Sequence, residues 1–442
     1  MKKENIKYPS FGNFPKLNPN EIKFLNWRHI TPDFDTFSGK FLPRGFGKSY
    51  GDSCLLQNGI LLDTTQMNKI ISFDPDTGII RAESGVSFSQ LLDFLVPRGY
   101  FLPVTPGTKH ISLAGAIAND VHGKNHFSAG NFGNHIIKFE LIRSDGRKLI
   151  CSEDENQDYF SATIGGLGLT GIITWAEFKA KISPSPYFYV ENIKFKNIDE
   201  FFEINKKSEE NFPYTVAWID CTAKGKHLGR GIYNRGRHAD FSKDKIPQKS
   251  PKDGAKPFPF ELALINKTTT KIFNILWYNK QIRKKTKVIT HYNPFFYPLD
   301  GVDGWNKAYG KNGFLQYQFV VPMESGKETV RNILNKISTS GLSSFLVVLK
   351  TFGYIPAKGM LSFPKRGITL AVDFAVNKKS LKLCNELDIL VNKAGGRLYP
   401  AKDSRMSGAD FKKYYPNYEE FSKFIDPKIT SSFWQRIINN EK

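Results

Sequence analysis

The side chains best suited to chemistry gather in one stretch, Thr105 to His135, TPGTKHISLAGAIANDVHGKNHFSAGNFGNH. Lys109, Asn119, His122, Lys124, Asn125 and His126 sit there among Gly107, Ala114, Gly115, Ala116 and Ala118. Small residues let a backbone approach a ligand closely, so polar groups set between them read as the wall of a buried ligand site. A long polar surface loop is the competing reading, and composition does not separate the two. Taken alone, His122 is equally a satisfied structural histidine or a catalytic one.

Two further stretches share this texture. Pro43 to Asp52, PRGFGKSYGD, alternates Gly45, Gly47 and Gly51 with Arg44, Lys48, Ser49 and Tyr50. Consecutive backbone N–H groups in such a loop suit an anion-binding nest. It is not the GxGxxG of a nucleotide-binding βαβ unit, and no long helical pattern follows it. Gly165 to Ile173, GGLGLTGII, is the third. Three glycine-rich loops point to a large ligand touched by backbone at several places, and a dinucleotide matches in size.

The elements that must position these loops follow from pattern. Ile60 to Leu62 is strand-like, and Ile70 to Phe73 turns through Asp74-Pro75-Asp76-Thr77-Gly78 into Ile79 to Glu83 as a hairpin. Ser87 caps a helix through Leu91, Leu92 and Leu95. Ile136 to Ile142 is a strand that returns at Leu149 to Cys151, and Tyr159 to Thr163 is helical. The first ~180 residues therefore form one α+β unit, of ordinary domain size. After Ser183 the texture changes. Strands are expected at 187–195, 214–221, 314–321, 343–351 and 368–376, and helices at 198–208, 327–340 and 381–394. This is one antiparallel sheet covered by helices. In FLQYQFVV, Gln316 and Gln318 share a face and suit a polar pocket floor. Asp373 lies inside an apolar strand, and Gly395 to Arg405 restores the glycine and charge texture of the first unit.

Two basic segments stand apart. Arg235 to Pro259, with Lys243, Lys245, Lys249, Lys252 and Lys256 among prolines, reads as a mobile loop. Residues 267–287 set Ile272, Phe273, Leu276 and Trp277 beside Lys280, Arg283, Lys284, Lys285 and Lys287. They suit a core helix with a solvated basic end, the preferred reading, or an amphipathic element on an anionic membrane.

Composition narrows the classes. With 442 residues the chain holds more than one ordinary core. Its formal charge of +21 suits an anionic partner, whether nucleic acid, membrane surface or phosphorylated substrate; scattered lysine usage is the bland alternative. No nucleic-acid-binding signature appears, so no nucleic acid is expected. Cys54, Cys151, Cys221 and Cys384 are far apart without a CxxC, which argues against a metal site or disulfides and for a reducing compartment. The N-terminus lacks the apolar core of a signal peptide, and no run reaches the ~18–20 apolar residues of a span. A cytoplasmic protein is expected, with any membrane contact peripheral.

PRGFGKSYGD, TPGTKHISLAGAIANDVHGKNHFSAGNFGNH, GGLGLTGII, AWIDC, FLQYQFVVP, SFLVVLKTFG, LAVDF and GGRLYPAKDSR occur in this order. In these motifs nearly the whole chain resembles the decaprenylphosphoryl-ribose 2′-oxidases, flavin subunits of an epimerase, within the vanillyl-alcohol-oxidase/PCMH superfamily of FAD-linked oxidases. The resemblance implies an α+β fold with a two-subdomain FAD-binding domain over 1–182, a substrate domain over 183–396 and a return over 397–442. It implies that Arg44, Gly45, Phe46, Gly47, Lys48, Ser49, Tyr50, Gly51 and Asp52 lie along the FAD pyrophosphate. Gly107, Ser112, Leu113, Ala114 and Gly115 would line the cofactor, as would Asn119, Asp120, Val121, His122, Ile172 and Tyr399. Gly123 and Lys124 would edge the reactive ring, and Lys124, Gln316, Gln318, Lys350 and Lys402 would face substrate, with Trp218 and Leu299 shaping the pocket. Lys402, His122 and Tyr50 would be the catalytic group.

The implied reaction is FAD-dependent oxidation of the 2′-hydroxyl of a lipid-linked ribose phosphate, the first half of an epimerisation serving cell-envelope arabinan synthesis. An NADH-dependent short-chain keto-reductase would be the partner, and a membrane surface the location. Lys402 would either stabilise alkoxide charge as a cation or, with its pKa depressed, take the proton. Two departures matter. Lys48 stands where covalent flavin oxidases of the superfamily carry histidine, which implies non-covalent FAD. Ala371 stands where the mycobacterial enzymes carry a cysteine, which removes the handle for thiol-trapping nitroaromatics. An FAD-linked oxidase of soluble sugars or aldonolactones, and a non-catalytic basic binding protein, are the alternatives.

Overall fold

The computed structural model describes residues 8–247, 255–257 and 265–439. Three sheets organise it. The smallest is parallel and joins Glu21–Phe24, Ile60–Asp63 and Phe41–Arg44, with the apolar strand Ile60–Asp63 in the centre. The second is antiparallel and five-stranded, in the order Ile70–Asp74, Ile79–Glu83, Ile172–Lys179, Ile136–Ile142, Lys148–Ser152. Helix Phe88–Leu95 packs into the same core: Phe88, Leu91, Leu92 and Leu95 recur at helical spacing and are all buried. Ser87 and Gln90 cap it reciprocally, as the sequence predicts.

The third sheet has eight strands and only antiparallel pairs. Three adjacent inner strands are Val347–Phe352, Gly367–Ala375 and Phe314–Val321. Alternation sorts their side chains. Leu315, Tyr317, Phe319, Leu349, Leu370 and Val372 join the core under helices Ile198–Glu209, Met323–Ser340 and Lys378–Lys393. Gln316, Gln318, Val348, Lys350, Thr369 and Ala371 emerge on the opposite face and line a cavity. One register thus makes a dry face and a chemical face.

Two basic segments depart from their expected forms. Arg235 to His238 is no loop; it completes strand Gly231–His238, paired on both sides. The arginines fit a strand because Arg235 meets Glu191 at 2.6 Å and Arg237 lies 4.6 Å over the Tyr189 ring. Lys256–Pro257 pairs with Val302–Asp303, while Lys249 and Lys252 lie outside the described residues. The stretch 267–287 divides into helix Lys267–Lys280 and the start of edge strand Lys285–His291. The helix is not a core helix: Thr270 and Asn274 are its buried residues, and its apolar side chains are exposed.

The last residues close the molecule on its beginning. Strand Arg397–Leu398 still pairs with Phe314–Val321. Beyond it the chain crosses to the small parallel sheet, where Ile429 bridges to Phe41 and the Gln57 N–H donates to Ser432 Oγ at 2.9 Å. Helix Ser432–Asn439 carries Arg436, which donates to both Asp52 oxygens at 2.8 and 2.9 Å and to Asp403 at 3.1 Å. The two carboxylates are buried, so removing their cation leaves charge without a partner. Arg436→Met is therefore expected to lower stability by about 3–5 kcal/mol, read as a fall in the denaturant midpoint at unchanged slope.

Candidate functional site

A cavity of about 810 Å³ opens between the glycine loops and the chemical face of the large sheet. The loops are fixed by backbone and by one buried acid. Asp120, with positive φ, accepts from the Gly133 N–H, Asn131 and Ser362 at 2.9, 2.7 and 2.5 Å. That clamp sets the direction in which His122 and Lys124 leave the chain. Asn119 donates to the Gly115 carbonyl at 2.8 Å, and its own carbonyl accepts from the Tyr399 hydroxyl at 2.8 Å.

Opposite this wall, the short turn Pro400–Lys402 brings in a lysine from the far end of the chain. The Tyr50 N–H donates to the Ala401 carbonyl at 2.9 Å. The Lys402 ammonium then lies 3.8 Å over the Tyr50 ring, a cation–π contact. Behind them Gln316 donates to the Tyr50 hydroxyl at 3.2 Å and to Asp373 at 2.7 Å, and the Tyr309 hydroxyl reaches the second Asp373 oxygen at 3.4 Å. Burial pushes Lys402 down from the usual lysine range, the Asp373 carboxylate opposing it. Burial pushes Asp373 up, with Gln316 and Lys402 opposing. Both move towards neutral pH.

His122 faces two nitrogens. Gln318 Nε2 stands 3.0 Å from its Nε2, and Lys350 Nζ stands 2.9 Å from its Nδ1. A neutral imidazole has one donor and one acceptor. With the Gln318 amide donating, the His122 Nδ1–H points at Lys350 Nζ, a contact that suits a neutral amine, and Lys350 donates to the Gly123 carbonyl at 2.6 Å. The electrostatics agree. Burial, then the charges of Lys124 and Lys402, hold Lys350 well below the usual lysine range. Burial, then Lys350, does the same to His122. Burial alone lowers Lys124 to about 8. This wall holds too much potential positive charge for its surroundings, and an anionic ligand would relieve it.

Most expected residues meet here. Arg44 to Tyr50, Gly107, Ser112, Ala114, Gly115, Asn119, Val121, His122, Gly123, Ile172 and Tyr399 line the cavity. So do Lys124, Leu299, Gln316, Gln318, Lys350 and Lys402. Five do not. Gly51 packs against the Asp403 backbone, Asp52 binds Arg436, Leu113 lies in the core, and Asp120 is the clamp. The Trp218 indole donates to the Phe345 carbonyl at 2.8 Å. Of the polar residues in the Thr105–His135 stretch, Asn125 donates to the Pro103 carbonyl and His126 accepts from the Gly353 N–H. Lys109 donates to Asn293 at 3.1 Å. These three are structural. Sequence reading missed Phe11 and Trp305 on the wall and Asp373 behind it. Only Asp373 carried a signal, a carboxylate inside an apolar strand.

The wall fits an extended, charged cofactor. Its volume falls within the ~300–1,000 Å³ of small-molecule and cofactor sites. Arg44 Nε and Ser53 Oγ, both at the glycine loop, are buried without a partner among the described residues. A Cβ at Gly107 would meet nothing within 4 Å, so packing does not demand glycine there; the room belongs to the cavity. Gly47, at φ +62°, turns the loop tightly enough that a Cβ would strike the Arg44 guanidinium.

Comparison with known proteins agrees. Residues 34–152 match a family model described as an FAD binding domain. The chain is 39% identical over 401 residues to decaprenylphosphoryl-beta-D-ribose oxidase of Mycolicibacterium smegmatis, covering 87% of this chain and 86% of that one. It is 27% identical to an uncharacterised protein of Streptomyces coelicolor, over 80% of this chain and all of that one. A putative D-arabinono-1,4-lactone oxidase of Neurospora crassa is 36% identical, over 27% of this chain and 21% of its own.

Proposed function

The chain belongs to the decaprenylphosphoryl-β-D-ribose oxidase family of FAD-linked oxidases, and on that footing we propose that it oxidises the 2′-hydroxyl of a polyprenylphosphoryl-β-D-ribose to the 2′-ketone. One observation supports the reading most. Three lysines and a neutral histidine share a wall with the glycine loops, and the buried Asp373 carboxylate stands behind Tyr50 and Lys402.

Bound FAD supplies the acceptor for the hydride that leaves C2′. Arg44 and the loop after it, Ser112 to Gly115 and Asn119 to Gly123 would hold it. Lys402 is the group to take the hydroxyl proton. Its lowered pKa makes a neutral amine available near neutral pH, and the Tyr50 ring fixes its position. Lys124 and Lys350 would bind the sugar phosphate. An arriving anion would favour a protonated Lys350 and strengthen that contact. Gln316 and Gln318 offer amides to sugar hydroxyls, and His122, bonded on both sides, orients rather than transfers protons. Net epimerisation requires a separate reductase for the ketone, of the NADH-dependent short-chain class, and the product would serve cell-envelope arabinan synthesis. The lipid-linked substrate implies work at the cytoplasmic face of a membrane; no helix among the described residues is long and apolar enough to cross one.

Adding a polyprenylphosphoryl ribose is expected to bleach the flavin absorbance, whereas free sugars and aldonolactones leave it unchanged. Bleaching by the soluble sugars at equal rate would favour an FAD-linked oxidase of soluble sugars or aldonolactones. Lys402→Ala should slow bleaching by about 10²–10⁴-fold with FAD retained. The wild-type rate should rise with pH through neutrality, because deprotonation yields the amine. Lys402→Arg, always cationic, should not restore it; an active arginine variant would leave Lys402 only an electrostatic role. With Lys48 in the glycine loop, acid precipitation should release all flavin into the supernatant. Ala371 lines the cavity, so Ala371→Cys should create a thiol that a reduced nitroaromatic traps, seen as a mass adduct that the wild type lacks.

A further inference from the structure

Helix Lys267–Lys280 is built inside out. It meets the body along one stripe, Thr270, Asn274 and Tyr278, whose spacing of four keeps them on a single face. Asn274 donates to Asp220 and to the Ser344 carbonyl, both at 3.1 Å. The Tyr278 hydroxyl donates to the Phe195 carbonyl at 3.2 Å, and Arg230 lies 4.6 Å over its ring. Polar anchors thus do what an apolar stripe does in an ordinary surface helix.

The apolar side chains point outward. Leu276 is 66% exposed, Trp277 42%, and Ile282, just past the helix, 91%. Ile272 and Phe273 extend the patch, and the Phe273 and Trp277 rings stack at 5.9 Å. Contiguous apolar surface of this kind marks an interaction site. Its charge says which kind. Lys271, Lys280, Arg283 and Lys287 border it and form no ion pair among the described residues, whereas Lys284 and Lys285 are taken by Glu200 and Glu191. Apolar side chains bordered by basic ones without a carboxylate partner match the interface of an anionic bilayer, where ring and aliphatic groups enter the acyl boundary and ammonium groups stay with the headgroups.

The patch is also connected to the cavity. Phe273 lies 5.9 Å from Phe345, and Phe345 lies 6.3 Å from Trp305 on the cavity wall. Trp305 contacts Phe11 at 5.5 Å, and Phe11 contacts Tyr50 at 5.1 Å, beneath Lys402. An unbroken line of rings runs from the exposed face to the reactive end.

We propose that the outward face of helix Lys267–Lys280, with Ile282, is the surface by which this protein docks on an anionic lipid bilayer. The docking does not rest on the lipid-linked substrate read above. The test is flotation of the flavin-loaded protein with phosphatidylcholine vesicles, with and without phosphatidylglycerol. Binding is expected only with phosphatidylglycerol and should weaken as salt is raised. Leu276→Glu with Ile282→Glu should cut the bound fraction by about 10-fold or more, and Lys280→Glu with Arg283→Glu by a similar factor. The flavin spectrum should be unchanged in both, which shows them folded. Failure of the wild type to float with phosphatidylglycerol vesicles overturns the proposal, as does equal flotation of the Leu276→Glu, Ile282→Glu variant. So does a wild-type dimer in vesicle-free buffer that this variant turns into monomer, which would assign the face to a second copy. Flotation needs no substrate, so a protein that floats but is not bleached by the lipid-linked ribose overturns the function and keeps the docking.

Discussion

Keeping Lys124, Lys350, Lys402 and His122 around one cavity, with the Asp373 carboxylate buried behind Lys402, is the constraint on which the rest depends. Lys350 is withdrawn from water and the other three partly so, and burial penalises their charged forms. The surroundings answer with neutral donors and acceptors. The Gly123 carbonyl takes a Lys350 hydrogen, the Tyr50 ring takes the Lys402 charge, and the Gln318 amide saturates His122. Such groups hold position without neutralising, so a site of this kind keeps its affinity for an anion and can keep a lysine amine unprotonated near neutral pH.

Rigid support for those side chains comes from elsewhere. Three of the contributing residues, Gln316, Gln318 and Lys350, stand on strands whose other faces are largely apolar and covered by helices. Their direction is set by the pleat. The loop residues lack that support and use buried carboxylates as locks instead: Asp120, holding neutral donors, for the histidine wall, and Asp52 and Asp403, paired with Arg436, for the Tyr50 and Lys402 turns. A strand positions by register; a loop must be tied at named points.

Much of this was legible in the sequence, and the reasons differ by residue. The glutamine face of Phe314–Val321 could be read because alternation is a local property. The glycine loops could be read because few backbones need so many small residues beside polar ones. Lys402 could be assigned only through resemblance, since nothing within ten residues of it announces a partner near Tyr50. The locks were invisible for the same reason, and Asp52 and Asp120 looked like ligand contacts when they are clamps. Trp305 and Phe11 lie in stretches without period, so their meeting at the wall is a purely tertiary fact. The inverted helix misled most: apolar spacing shows which residues share a face, but the partner that covers that face is not written in the spacing.

The bridge between Phe41 and Ile429, with Arg436 fastened to Asp52, has a consequence for the order of events in a cell. The pairing that secures the first glycine loop spans 384 positions of sequence. A chain emerging from the ribosome at ~5–20 residues per second displays Arg44 to Asp52 long before their anchors exist. The loop stays untied until Arg436 has appeared. Loss of that distant arginine therefore acts as though the change had been made in the first loop.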